Sequence, residues 1–204
     1  MKIARDALPY LGGLAAAAIL SFLFISPWLA LVWVALLSFV AFFFRDPHRV
    51  YTGTEGAVLS PADGRVVQLR EEEGRRTLSI FLSVLDVHVN RAPVSGRIEK
   101  VEYHRGRFQA AFRHGASSEN ERNVITIRSP VGLVTAAQIA GLLARRIVCT
   151  VREGDEVQAG ERIGLIKFGS RMDVSVPAGV AWSVEVGSRV RAGVTVLGRA
   201  RERG

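Results

Sequence analysis

Residues 7–44 contain no Asp, Glu, Lys or Arg, and no other feature of the chain limits its fold so strongly. One membrane-spanning helix takes roughly 20 apolar residues, so the run is too long for one span and slightly short for two. Ser26-Pro27 near its middle supplies a break, because proline has no backbone N–H and its ring clashes with the preceding helical turn. The sequence therefore predicts a tight helical hairpin, transmembrane or membrane-embedded, over about residues 8–44. Its arms are 8–25 and 28–44, inside a membrane anchor of residues 1–49. Lys2 and Arg5 precede the run and Arg45 and Arg49 follow it. A hairpin with both ends cytoplasmic obeys the positive-inside rule, whereas a single span leaves one basic end outside. A cleaved secretory signal is disfavoured, since the apolar core is too long and no Ala-x-Ala site precedes a hydrophilic start.

With 204 residues, 49% of them apolar, the chain has material for one ordinary domain behind the anchor and is not disordered. A lone cysteine, Cys149, excludes an internal disulfide. His48, His88, His104 and His114 are scattered, so no Cys/His cluster has zinc spacing and no metal is expected. The net charge of +8 suits a polyanionic partner. The apolar run makes that partner an anionic membrane, at the inner leaflet, and leaves nucleic acid with only the charge in its favour.

Beyond Arg45-Asp46-Pro47, short apolar stretches alternate with Gly and Pro, as in Gly64-Arg65-Val66-Val67-Gln68-Leu69 and Leu78-Ser79-Ile80-Phe81-Leu82. Strands at close spacing make residues 50–204 a mainly β barrel or sandwich. Residues 134–146 fit either a helix or a strand, helix and strand in miniature, and Val174-Ser175-Val176-Pro177 reads as a sheet edge. Two internal echoes stand out. Pro61-Ala62-Asp63-Gly64-Arg65-Val66 matches Pro93-Val94-Ser95-Gly96-Arg97-Ile98, and Gly154-Asp155-Glu156-Val157-Gln158-Ala159-Gly160 matches Gly187-Ser188-Arg189-Val190-Arg191-Ala192-Gly193. The second pair resembles the turns of biotinyl and lipoyl carrier domains, which implies a barrel-sandwich hybrid without implying a function.

Between those turns an apolar strand reaches Phe168-Gly169-Ser170-Arg171. A Gly-Ser step is ordinarily just a turn. Here Ser60-Pro61-Ala62-Asp63 and Asp86-Val87-His88 complete a Ser, His and carboxylate set, with Ser170, His88 and Asp63 as the candidate catalytic residues. Each has a structural reading too: His88 fits a buried strand histidine, Asp63-Gly64 a turn pair, Asp86 a strand cap and Asn120-Glu121-Arg122 a solvated loop.

Pro61-Ala62-Asp63-Gly64, Asp86-Val87-His88, Asn120-Glu121-Arg122 and Phe168-Gly169-Ser170-Arg171 together resemble the phosphatidylserine decarboxylase proenzymes, in their short branch with Phe-Gly-Ser-Arg at the processing site. The resemblance implies self-cleavage between Gly169 and Ser170 into residues 1–169 (β chain) and 170–204 (α chain). Ser170 becomes a covalent pyruvoyl group, so no added cofactor is required. A Schiff base between that group and the substrate amine then decarboxylates phosphatidylserine to phosphatidylethanolamine and carbon dioxide. His88 is implied as the base and Asp63 as its orienting carboxylate. Longer relatives carry a second histidine where this chain has Arg91, a candidate for holding the headgroup phosphate or substrate carboxylate through its bidentate fork. Asn120, Glu121 and Arg122 are candidates for substrate binding. Implied partners are the phospholipid, the two cleaved chains for each other, and an even-numbered homo-oligomer.

Two rivals predict an uncut chain. A membrane-tethered biotinyl- or lipoyl-like carrier or adaptor would use Lys167. A serine hydrolase would use Ser170, His88 and Asp63, but it lacks the Gly-x-Ser-x-Gly elbow.

Overall fold

Ser26-Pro27 divides the apolar run as its chemistry dictates. In the computed structural model, which describes residues 2–51, 56–106, 120–141, 146–167 and 170–200, α1 (Leu8–Phe24) follows a 3-10 turn and α2 (Pro27–Phe43) begins at the proline. The Ser26 side chain caps α2 by accepting the Trp28 N–H at 3.3 Å, and Pro27 occupies the first helical position, where a missing N–H costs nothing. Trp33 Nε1–H donates to Ser21 Oγ at 3.0 Å, tying the helices together. Short strands β1 (Lys2–Ile3) and β2 (Arg45–Asp46) pair antiparallel and close the open end. Apolar side chains including Phe22, Phe24, Trp28 and Leu31 are exposed, the surface of a helix pair suited to an apolar solvent. The segment Arg5–Phe24 is long and apolar enough to cross a membrane, by length and composition; α2 is shorter.

Residues 49–204 form a second unit. Its strands are β3 (Ala57–Leu59), β4 (Gly64–Glu72), β5 (Arg75–Leu82), β6 (Val89–Arg91), β7 (Gly96–His104), β8 (Arg122–Ser129), β9 (Gly132–Ala140), β10 (Ile147–Cys149), β11 (Glu156–Val157), β12 (Arg162–Ile166), β13 (Ser170–Pro177), β14 (Val180–Trp182), β15 (Arg189–Val190) and β16 (Val196–Ala200). Eight of them make one curled, half-barrel sheet, ordered β11-β7-β8-β9-β13-β5-β4-β15. Two three-stranded sheets, β10-β12-β6 and β14-β16-β3, accompany it. Alternation along the strands sets the core. Leu78, Ile80 and Leu82 of β5, Ile125 and Ile127 of β8, and Met172, Val174 and Val176 of β13 are fully buried with Val58, Ile163, Ile166 and Leu197 from the small sheets. Each such side chain contributes about 1.5–3 kcal/mol of hydrophobic stabilisation.

The strand order reads symmetrically about the β9–β13 pair, and the backbone hydrogen bonds repeat in the same way. Leu59 N–H donates to Pro93 O at 2.7 Å and Arg91 N–H to Pro61 O at 2.9 Å. Gly193 N–H donates to Ser60 O as Gly160 N–H does to Ala92 O, both at 2.8 Å. Gly187 N–H reaches Val66 O as Gly154 N–H reaches Ile98 O, again both at 2.8 Å. The echoes in the sequence are thus the matching turns of two interlocked halves. One half is residues 57–82 with 170–200, and the other is the intervening 89–166. Gly64 and Gly96 occupy equivalent places with φ of 147° and 156°, and a Cβ on either would collide with a neighbouring carbonyl oxygen, that of Phe81 or Arg128.

One expectation is narrowed and another is corrected in part. Residues 134–140 are strand, part of β9, since Val134 and Ala136 must alternate into the core; residues 142–145 lie outside the described residues. Val174 and Ser175 are no edge, because β13 pairs there with β5 on one side and β9 on the other, whereas Val176 and Pro177 pair with β5 alone.

Candidate active site

Only two connections carry the chain between the halves, residues 83–88 and 167–169, and they bear His88 and the Gly169-Ser170 step. Phe168 and Gly169 lie outside the described residues. Ser170 opens the central strand β13, paired with Leu82 of β5 and Ala140 of β9. From Leu82 the chain needs only the turn at residues 83–87 to reach His88. At its far end His88 O accepts the Ile166 N–H at 3.3 Å. The strand entering the Gly-Ser step and the strand leaving it are therefore held by the two ends of one short connection.

Ser170 is fully buried, and its Oγ has no hydrogen-bond partner. A buried hydroxyl without a partner costs on the order of 1–3 kcal/mol, so it adds nothing to stability through hydrogen bonding. His88 is 2% exposed, and its Nδ1 lies 2.9 Å from Asp86 O. A carbonyl can only accept, so Nδ1 carries a proton in this bond. The Asp86 side chain is committed to the turn, accepting from Ser83 N–H at 2.8 Å and Ser83 Oγ at 2.7 Å. It fixes the loop that aims His88.

Asp63 is engaged elsewhere. Arg49 grips it with both guanidinium nitrogens, one bond being 2.8 Å, and the Ala192 N–H donates to it at 2.8 Å. Its hydrogen bonds thus go to Arg49 and Ala192, and none to His88. Arg91 is 8% exposed and donates to Gly160 O at 2.9 Å, beside the paired glycine turns. Asn120 is fully buried, and its Nδ2 donates at 2.7 Å to the carbonyl of Ala140, the cross-strand neighbour of Ser170. Glu121 accepts from the Tyr103 hydroxyl. Partial desolvation, then this bond to a carboxylate, pushes the Tyr103 phenol up to about 12. Arg122 faces Ile139, which faces Arg171, so by strand alternation it lies on the sheet face opposite Ser170.

Sequence reasoning missed several groups. Arg49, read from the sequence only as a positive residue flanking the apolar run, is the partner of Asp63. Arg171, 1% exposed, donates to Asp173 at 2.7 Å, Gln68 at 3.0 Å and Ser79 at 2.5 Å, forming a buried polar cluster on the face of β13 opposite Ser170. Asn90, Asn123 and Gln138 are buried amides on the core side. The available signal was a polar residue at every second position of an apolar strand. Among the described residues no group of His, Cys, Asp and Glu could hold a metal.

The model of one protein family, described as phosphatidylserine decarboxylase, matches residues 36–198, taking in both crossings and every candidate residue. The chain belongs to the phosphatidylserine decarboxylase family. It is 47% identical to a phosphatidylserine decarboxylase proenzyme of Solibacter usitatus, over 100% of this chain and 99% of that protein. A proenzyme of the same name from Magnetococcus marinus is 47% identical over 84% of this chain and 86% of its own. One from Solidesulfovibrio magneticus is 44% identical over 97% and 95%. The carrier reading finds no support. Lys167 is 8% exposed with its N–H bonded to Arg146 O at 3.2 Å, unlike a lysine offered at a hairpin tip.

Proposed function

We propose that this chain is a short-branch proenzyme that cleaves itself between Gly169 and Ser170 and then, as a carboxy-lyase, decarboxylates phosphatidylserine to phosphatidylethanolamine. The observation that carries the reading is the buried, unbonded Ser170 Oγ at the head of β13, joined through Leu82 to the turn that presents His88. Ser170 Oγ attacks the preceding carbonyl while His88 Nε2 takes its proton. Held in one chain, the reaction is intramolecular and gains the acceleration that positioning provides. The nitrogen receives the proton as the C–N bond breaks, leaving an ester. His88 then removes the Ser170 Cα proton, the ester C–O bond breaks, and residues 1–169 are left with a free carboxylate. Water enters and ammonia leaves at the new end of residues 170–204.

The pyruvoyl group this produces fits its surroundings, since its only precursor is a hydroxyl that serves no structural bond. The chemistry such a group supplies is an electron sink for the pair left when carbon dioxide departs. His88 returns a proton to the α-carbon. Asp63, through Arg49 and the Ala192 N–H, holds the turn that borders the site and is a positioning residue. Asn120 fixes the strand opposite Ser170, and the Arg91 guanidinium fork is the group assigned to the substrate's phosphate or carboxylate.

The second unit is, on this reading, a duplicated barrel-sandwich hybrid, supported by its paired turns. The hairpin anchors it on the cytoplasmic face of the inner membrane, supported by apolar α1 and the basic residues at both ends. The direct test is turnover. In detergent micelles containing phosphatidylserine, the purified chain should release carbon dioxide and form phosphatidylethanolamine, and Ser170→Ala should do neither. Equal turnover by Ser170→Ala would refute the reading.

A further inference from the structure

The end of the large sheet that carries Ser170 also carries exposed aliphatic side chains. Four adjacent strands start or stop there together: β4 begins at Gly64, β5 ends at Leu82, β13 begins at Ser170 and β9 ends at Ala140. Beyond Leu82 the chain turns at once. Asp86 N–H donates to Ser83 O at 3.0 Å, closing a four-residue turn with Val84 and Leu85 at its central positions. The Asp86 carboxylate, bonded to Ser83 N–H and Oγ, braces the same turn. Turn centres ordinarily carry Gly, Pro, Asn, Asp or Ser. The turn joining β4 to β5 at the opposite end of these strands, Glu72-Glu73-Gly74-Arg75, has no apolar residue. Here Val84 is 38% exposed and Leu85 67%.

Two more exposed aliphatic residues belong to this end. Asp63, one residue before β4, is held by Arg49 and by the Ala192 N–H. Val50 follows Arg49, Val194 lies two residues past Ala192, and both are exposed. Because Val190 pairs with Gly64, the turn that Val194 N–H closes on Arg191 O leaves the sheet at the Ser170 end. A single exposed Val or Leu carries no message. Val50, Val84, Leu85 and Val194 at one end of one sheet make the kind of apolar surface that marks an interaction. The charges there suit a phospholipid layer. Asp63 and Asp86 have their carboxylates engaged by Arg49 and Ser83, whereas Arg191 is exposed and can face anionic headgroups.

We propose that the Val84-Leu85 turn is an interfacial wedge. It enters the acyl boundary of a phospholipid layer, with Val50 and Val194 at the same surface, and seats the Ser170 end of the sheet at headgroup level. The inference rests on the reading above, in which the substrate is a two-chain lipid. Two residues reach at most about 7 Å, within the roughly 5–10 Å to which interfacial apolar groups are buried. A turn closed by backbone and carboxylate bonds keeps its shape on entering the layer. His88 lies only two residues beyond Asp86, so the wedge brings the base and the lipid headgroup to one surface.

The first test measures depth and needs no activity. Leu85→Cys is made in the full chain with Ser170→Ala and Cys149→Ser, labelled with a nitrobenzoxadiazole fluorophore and placed in nanodiscs of phosphatidylcholine and phosphatidylglycerol. Its emission should shift to the blue and be quenched by doxyl-labelled phosphatidylcholine, and a Glu73→Cys label at the opposite turn should do neither. The second test measures turnover by the processed chain. Val84→Ser with Leu85→Ser puts turn-favouring residues at the tip. On phosphatidylserine in vesicles kcat/KM should fall on the order of 10-fold, with self-cleavage and turnover of dispersed dihexanoyl-phosphatidylserine unchanged. Equal loss on both substrates would mean that the turn acts only by aiming His88, and would overturn the inference. A Leu85 label that lipid quenchers do not reach, as when a second copy covers it, overturns it as well, and so does vesicle turnover within twofold of the unmodified chain. An unmodified chain that neither cuts itself nor turns over refutes the underlying reading, and the depth measurement then decides the wedge alone.

Discussion

Ser170 begins a strand in the centre of the largest sheet, yet its hydroxyl bonds to nothing, and that contradiction between burial and satisfaction organises the site. His88→Gln keeps a hydrogen-bonding side chain but not the base. Self-cleavage should fall by roughly 10²- to 10⁴-fold, the usual worth of a positioned acid–base group, and a time course at the unmodified rate would contradict the assignment. Arg171 and Asp173 are a different kind of residue, a buried ion pair. Arg171→Met in a Ser170→Ala background should destabilise by up to about 3–5 kcal/mol, because it leaves the buried Asp173 carboxylate only its longer 3.4 Å contact with Arg70. Adding Asp173→Leu should recover much of the loss, and a double variant no better than the single would contradict this, as read by denaturant unfolding. Ser170 and His88 could be read in the sequence because their motifs are local. Arg49, Asn90 and Gln138 could not, because what they touch is set by pairing strands far apart in the chain.

Among the elements, the matched turns were legible because glycine must recur where the backbone demands it, as at Gly64 and Gly96 with their positive φ. Since both meet a carbonyl oxygen in equivalent places, Gly64→Ala and Gly96→Ala should each destabilise by at least about 1–3 kcal/mol. Thermal scans in the uncleavable background should show similar losses, and one harmless substitution would argue against the equivalence of the halves. The strand nature of residues 134–140 was ambiguous because a short apolar run has no decisive period; its neighbours β8 and β13 decide it. Near the end of β7, the Tyr103 phenol is raised to about 12 by desolvation and its bond to Glu121. A folded-state value above the ordinary one contributes stability that is complete below pH about 10 and is lost as pH rises toward 12. Tyr103→Phe should remove that alkaline decline, and an unchanged decline would show that other groups cause it.

At the scale of the whole molecule, the apolar run marked the helix pair and the alternating body marked the second unit, but the interlocking of the halves was hidden. Its consequence is that residues 170–204 supply the central strand β13, paired along its length with β5 and from Ser170 to Ser175 with β9. Cleavage before Ser170 should therefore leave the two chains associated, co-eluting in mild detergent and separating only on denaturation; separation without denaturant would contradict it. The most direct test of the account is the intact mass of the full chain under denaturing conditions, beside Ser170→Ala. The account predicts two species, residues 1–169 with a free carboxylate and residues 170–204 lighter than encoded by one ammonia, and a single uncut species for the variant. A single uncut mass in both samples would contradict it.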